Sequence, residues 1–418
     1  MGGRPAGATV PAMSTTTDVA FDQVTLERFA DLTIGFAANV QKGQVVAIGA
    51  ELGKEAMVRA LAAKAYEHGA KFVDVQYFDM HVKRARVLHA DEETLDYVPP
   101  WYGHRLLELG RLRGARIALS GPATPGLLDD LDPRRAGRDQ LPFVREAGVV
   151  VNERTTNWTI VPYPTSGWAR QVHPGLSDED ALARLSEQIL HVCRLDEEDP
   201  VAAWKERADF LVAAAERVTE RRFDALRFEG PGTNLTVGLL PTTLFMAARF
   251  ETVDGIVHMP NLPSEEVFGA PDPQRTNGVV RATKPLVIAG SIVRGLEVEF
   301  RDGSAVRIDA EEGADVLRGY AARDEGSSRL GEVALVDGDG RIGKLQTVFF
   351  DTLLDENSAS HIALGESYRF TAGEEDEARL NHSSIHVDFM IGGDDVAVTG
   401  VTGAGEAVPV LRGGAWQL

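Results

Sequence analysis

The chain has 418 residues, 44% hydrophobic and 25% charged, with a formal net charge of −20. That length allows two domains with substantial cores, the composition is that of a soluble globular protein, and the negative charge would repel nucleic-acid phosphates. No stretch approaches the roughly 18 uninterrupted apolar residues of a membrane span, and the single cysteine, Cys193, excludes an internal disulfide framework and suits a reducing cytoplasm.

Met1 to about Asp18 is rich in Gly, Ala, Pro and Thr and lacks the apolar core of a signal peptide, so residues 1–20 read as a disordered extension, with Met13 as an alternative start. Residues 21–222 alternate helices and strands. Leu26–Val40 and Lys54–His68 read as helices, Gln44–Ile48 and Lys71–Tyr77 as strands. A second unit follows, with helix His104–Arg113, strand Ala115–Ser120, a helical Pro125–Leu131 and strand Gly148–Val151. Such alternation implies a Rossmann-like parallel sheet with right-handed crossovers. The Gly43–Gly53 stretch lacks the spacing and the Ser or Thr of a phosphate-binding loop. Helices Asp178–Cys193 and Val201–Arg217 come next. Trp204 is spaced with Phe210, Leu211 and Ala214 as a core residue, and Cys193 reads as a buried thiol.

Residues 223–418 change style. Leu235–Leu239, Arg249–Asp254, Leu286–Val293, Leu296–Arg301 and Ala305–Ile308 read as strands, with helices near Ala314–Arg323 and Glu356–Tyr368. This pattern predicts a mostly antiparallel, barrel-like sheet. Asp337-Gly338-Asp339-Gly340 has the acidic spacing of a calcium loop but no downstream Glu where one is needed, and reads as a turn.

Four short clusters in this second half carry the chemistry: Ser264-Glu265-Glu266-Val267, Leu330-Gly331-Glu332-Val333, Asp355-Glu356-Asn357 through His361, and His386-Val387-Asp388. Carboxylates mixed with imidazoles suit zinc, manganese, cobalt or iron. Four carboxylates and two histidines exceed one tetrahedral site and match two ions sharing a bridging carboxylate. Ile385, Val387 and Phe389 alternate with His386 and Asp388, so those two ligand types share one face of a strand. Asp355–Tyr368 reads as a helix, which would put His361 and Tyr368 on one face. The same alternation leaves His382 out, as a surface residue.

The sequences around Asn261–Pro271, Leu330–Val336, Asp355–Tyr368 and His386–Gly392 resemble the aminopeptidase T / aminopeptidase S family, most strongly from about Phe228 to Gly400. That resemblance implies a dimeric exopeptidase with two divalent ions (zinc, cobalt, manganese or magnesium) acting on short peptides. It carries Glu266, Glu332, Glu356, His361, His386 and Asp388 over as metal ligands, and Tyr368 as a catalytic side chain. Two departures stand out: the family's Gly-Thr-Asp-Leu is Gly232-Thr-Asn-Leu235 here, and the stretch from Tyr368 to His386 is short. Glu265, beside Glu266, is the expected proton acceptor, its pKa raised by burial. Tyr368 would donate to the oxyanion. Two other readings share these residues. A single-iron ring-cleaving dioxygenase would need only His361, His386 and Asp388, and leaves Glu266, Glu332 and Glu356 without a purpose. An inactive scaffold would need none of them.

Overall fold

The computed structural model describes residues 20–139, 141–142, 144–288 and 290–418, so the expected N-terminal extension lies outside the described residues. In the first half, four parallel strands lie in the order Phe72–Phe78, Val45–Glu51, Ala115–Ser120, Asn157–Pro162. Helix Glu55–Glu67 covers one face with Met57, Val58, Leu61 and Ala65, an apolar stripe at helical spacing. Helix Pro200–Glu220 starts at Asp199, whose carboxylate accepts the Ala202 N–H at 3.0 Å, and buries Trp204, Ala208, Leu211 and Val218. Trp204 is core, as its spacing predicts, and Cys193 is buried beneath it, its carbonyl accepting the Trp204 indole N–H.

The expected strand Gly148–Val151 is instead helix Arg145–Asn152, and the fourth strand begins at Asn157. A run of valines favours strand locally, but the helix packs Val150 against Gly110, where even a methyl group would sit 2.8 Å from the valine. Pro125–Leu131 forms turns rather than a helix.

The second half holds two large antiparallel sheets and two short two-stranded ones, Leu286–Ile288 with Ser291–Val293 and Phe250–Glu251 with Val257–His258. One large sheet has eight strands, from Ser304–Asp309 at one edge to Ala415–Trp416 at the other. The other has five, in the order His386–Met390, His361–Gly365, Leu330–Val336, Glu266–Gly269, Met246–Ala247. Neither large sheet closes on itself, so the expected barrel-like closure is absent among the described residues.

Asp355–Tyr368 also departs from expectation. Only Thr352–Glu356 is helical, and His361–Gly365 is a central strand of the five-stranded sheet. All five of its residues are buried. A strand covered on both faces shows no polar alternation, so periodicity alone does not separate it from a helix.

The halves are joined by hydrogen bonds and by apolar packing that runs through both. Ile160 exchanges backbone hydrogen bonds with Pro260 and Leu262. The Trp168 indole donates to the Phe349 carbonyl at 2.6 Å. Asp351, which caps the Thr352–Glu356 helix, accepts from Gly121 N–H at 2.9 Å and from the Ser120 hydroxyl at 3.3 Å. Gly365 sits at φ +111°, and a Cβ there would lie 2.1 Å from the Ile385 carbonyl. Gly365→Ala should therefore destabilise the protein by about 2 kcal/mol or more. Denaturant unfolding measures this, and an unchanged midpoint would refute it.

Candidate metal centre

Strand register puts the ligand types together. Glu266 lies opposite Val336, Ala334 opposite His361, Glu332 and Asp388 both opposite Ala363, and His386 opposite Gly365. Residues opposite one another, or two apart along a strand, share a face. Glu266, Glu332, His361, His386 and Asp388 thus occupy one face of the five-stranded sheet, over a floor of Ala334, Ala363 and Gly365 that leaves room above it. The opposite face carries Val267, Val333, Leu335, Ile362, Leu364, Val387 and Phe389, all in the main core.

Glu332 is central. Its Oε1 lies 3.4 Å from His361 Nε2, and its Oε2 lies 3.8 Å from His386 Nε2. Glu266 reaches His361 Nε2 at 3.1 Å, and Asp388 reaches His386 Nε2 at 3.3 Å. Two groups result, Glu266–Glu332–His361 and Glu332–His386–Asp388, with ligand atoms in each within 4.8 Å of one another. They share Glu332. Glu356 arrives from the Thr352–Glu356 helix, and its Oε1 lies 3.5 Å from the side-chain amides of both Asn261 and Asn357.

Both imidazoles are oriented by carbonyls. His361 Nδ1 lies 3.2 Å from the Ala359 oxygen and His386 Nδ1 lies 2.9 Å from the Glu366 oxygen. A carbonyl only accepts, so Nδ1 carries hydrogen and each Nε2 points into the cluster.

The electrostatics are those of an uncompensated acidic cluster. Burial raises Glu332, and burial together with the charges of Asp388 and Glu266 holds Glu356 well above the usual carboxylate range. Burial opposes a charged imidazole, yet Glu266 and Glu332 hold His361 well above its ordinary value. Against the same opposition, Asp388 and Glu332 lift His386 to about 10. Burial works to raise Asp388 as well, but the two imidazoles hold it low. No lysine or arginine pairs with these four carboxylates among the described residues. Oxygen and imidazole donors this close together, with histidines supplying the only positive charge, fit divalent cations.

Tyr368 stands beside the cluster at the start of a short 3₁₀ turn, not on a helix with His361. Its ring stacks on Phe370 with centroids 5.3 Å apart, meets Phe250 and Phe268 edge-on, and lies 5.8 Å from the His386 ring. Burial and the nearby carboxylates push its phenol well up, so it remains a proton donor at neutral pH.

Glu265 does not join the cluster. It precedes the strand on which Glu266 faces the site, and neighbouring residues of a strand face opposite ways. It is fully buried, with Arg207 Nε at 2.5 Å and Arg194 at 3.2 Å, while Arg207 also reaches both oxygens of Asp337 at 3.1 Å. Burial raises its pKa against the pull of the two guanidiniums, and both its oxygens meet those guanidiniums rather than the cluster. What Glu265 does is fix the ligand loop. Its N–H donates to Asn357 Oδ1 at 2.6 Å, tying the residue before ligand Glu266 to the residue after Glu356. Sequence reasoning missed Asn357, Asn261 and Arg207. The signal for Arg207 was a charge on the apolar face of its helix, between Trp204 and Leu211. His382 lies outside the cluster, in the irregular segment that precedes the His386 strand, 3.4 Å from Glu366.

Comparison with known proteins identifies the family. The thermophilic metalloprotease (M29) family matches residues 22–416. Aminopeptidase T of Thermus thermophilus is 44% identical over 400 residues, covering 94% of this chain and 98% of its own length. Aminopeptidase 2 of Geobacillus stearothermophilus is 34% identical over 402 residues, covering 94% and 97%. A solved structure of wild-type AmpT from Thermus thermophilus superposes with a TM-score of 0.85 at 42% identity, covering 95% of this chain and all of that one. The chain belongs to the thermophilic metalloprotease (M29) family.

Proposed function

We propose that this protein is a metallo-aminopeptidase that removes N-terminal residues from short peptides at a centre of two divalent ions. One observation carries the reading: Glu332 turns one carboxylate oxygen toward each of two ligand groups, the arrangement of a carboxylate bridging two cations. Glu266 and His361 would complete one site, His386 and Asp388 the other, with Glu356 facing both. Zinc, cobalt, manganese and magnesium all accept such donors. When bound, such ions lower the pKa of water and polarise the scissile carbonyl.

The chain's own residues supply the rest. Tyr368 donates its phenolic hydrogen to the oxyanion that develops on the substrate carbonyl, a contribution of roughly 2.7–4 kcal/mol. Glu356, which lies outside the two tight groups, is the carboxylate left to hold the proton released by water and pass it to the leaving amine. The acidic cluster also attracts the substrate's free α-amine, which selects unblocked N-termini. A single-iron reading would use His361, His386 and Asp388 and leave Glu266 beside His361 with nothing to do.

The family's aminopeptidases and the lone, buried cysteine support a cytoplasmic enzyme, and the resemblance supports a homodimer. Residues 21–222 would form a unit that limits entry to the catalytic unit of residues 223–418. No helix among the described residues is long and apolar enough to cross a membrane.

Glu332→Ala should empty both sites together and lower activity by more than about a hundredfold, beyond what loss of a supporting partner costs. Metal analysis beside far-UV circular dichroism checks this, and retention of one full equivalent of metal would contradict the shared role. Glu265→Gln should cost stability, by about 3 kcal/mol, because it leaves buried guanidiniums short of an anion. Turnover per bound metal should change far less, and its loss with stability intact would restore Glu265 as the proton acceptor. Metal uptake has a proton signature as well. His361 and His386 are raised, hence protonated at pH 7 in the metal-free protein, and ligation requires them neutral. Loading should release about two protons per subunit from these imidazoles, with any held on Glu332 and Glu356 added to them, and affinity should fall as pH falls. A pH-indicator titration in weak buffer reads the release, and uptake without acidification would exclude these imidazoles as ligands.

A further inference from the structure

The parallel sheet of the first half has two unlike faces. Val46, Ile48, Ala50, Ile117 and Leu119 are buried on one. On the other, Ala47 and Gly49 of one inner strand and Ala118 of the next are only half-buried, and a Cβ added at Gly49 would meet nothing closer than the Ile117 oxygen at 4.0 Å. Inner strands of parallel sheets are ordinarily covered on both faces. Here two of them present a floor of small residues with open space above it.

Arg116 rises from this floor. It lies in register with Ala47 on one side and with Trp158 on the other. Among the described residues it has neither an ion-pair nor a hydrogen-bond partner. Asp74, one strand beyond Ala47 in the same row, is held by the Arg105 Nε at 2.6 Å. The surrounding protein lowers the pKa of Arg116, and no carboxylate opposes that effect. A guanidinium stays charged regardless. A half-buried cation without an anion is costly, which makes the position suited to an anion brought by a ligand.

The floor adjoins a packed aromatic cluster that reaches the metal centre. Trp158, beside Arg116 on the same face, packs at 6.0 Å on Phe250, which lies 6.4 Å from Tyr368, itself 5.8 Å from His386. One end of this path is rich in carboxylates, and the other holds a lone guanidinium. A short peptide is a dipolar ion with the matching charges, an ammonium at one end and a carboxylate at the other. At roughly 3.3 Å per extended residue, a handful of residues running over this aromatic row spans that separation.

We propose that Arg116 receives the C-terminal carboxylate of short peptide substrates, so that the enzyme reads both ends of its substrate. This rests on the metal cluster being the aminopeptidase centre. The fork of the guanidinium fits a carboxylate through paired hydrogen bonds, a geometry that lysine does not reproduce. An amide at the peptide's C-terminus removes the charge and leaves the rest of the substrate in place.

The test compares peptides of two to six residues, each as free acid and as C-terminal amide, on the metal-loaded protein. The free acid should be favoured roughly ten- to a hundredfold in kcat/KM at the best length, the scale of a charge-assisted hydrogen bond. Arg116→Gln should abolish the acid-over-amide ratio, and Arg116→Lys should restore part of it. Equal rates for acid and amide in the unmodified protein at every length would overturn the proposal, as would a ratio that survives in Arg116→Gln. A protein that cleaves neither form, nor an aminoacyl anilide, would refute the aminopeptidase reading instead. Calorimetric binding of the same acid and amide pair then decides the role of Arg116 without turnover: tighter binding of the acid, lost in Arg116→Gln, supports it, and equal binding overturns it.

Discussion

Carboxylates gathered on one face of a β-sheet repel one another, and only the packing behind the sheet holds them there. In this protein the far face is continuous apolar core, from Val267 through Val333 and Ile362 to Phe389. Slipping any of these strands by one residue would turn a carboxylate or imidazole into that core and an apolar side chain out of it. Hydrophobic burial therefore fixes the register, and the register concentrates negative charge. The charge stays unneutralised because the arginines are kept to the other side. Arg194 and Arg207 hold Glu265, while Glu266, one residue on, has only His361. A cation pulled from solution is what such a cluster lacks, and metal binding and the stability of this sheet should rise and fall together.

Supporting contacts carry this arrangement outward. Asn357 ties the Glu266 segment to the Glu356 helix, and that helix begins at Asp351, which is hydrogen-bonded to Ser120 and Gly121 of the first half. Trp416 adds its indole N–H to Asp337, beside Arg207. The position of Glu356 thus depends on contacts with the parallel sheet as well as on its own short helix.

How much of this was legible in the sequence depended on whether a residue's two neighbourhoods differed. His386 and Asp388 were readable as a strand pair because their neighbours are apolar and face the core. His361 was readable as a ligand type by its company, but its strand was not, since both faces are buried and Asp355-Glu356-Asn357-Ser358 resembles a helix start. The adjacent pair Glu265 and Glu266 was recognisable as a split in roles. Which member faced the site, and that the other would meet two arginines, depended on residues some sixty to seventy positions earlier in the chain. The alternation of helices and strands gave the parallel sheet, yet one valine-rich helix passed for a strand because tertiary packing outweighed local preference. Whether antiparallel strands close on themselves depends on edge pairings, which no local pattern encodes.

The shared parity of the ligands also constrains how such a chain can change over generations. A single-residue insertion or deletion between Glu332 and Val336, or between His386 and Met390, would turn every later side chain of that strand to the opposite face. Lengthening by two would preserve the facing but displace the ligand by a full repeat of about 6.6 Å. Length variation is tolerable only where the strands hand over to turns, such as Asp337–Gly340 or the stretch between Tyr368 and His386. The comparatively short span between those last two residues is a place where descent can shorten the chain while the centre itself stays in frame.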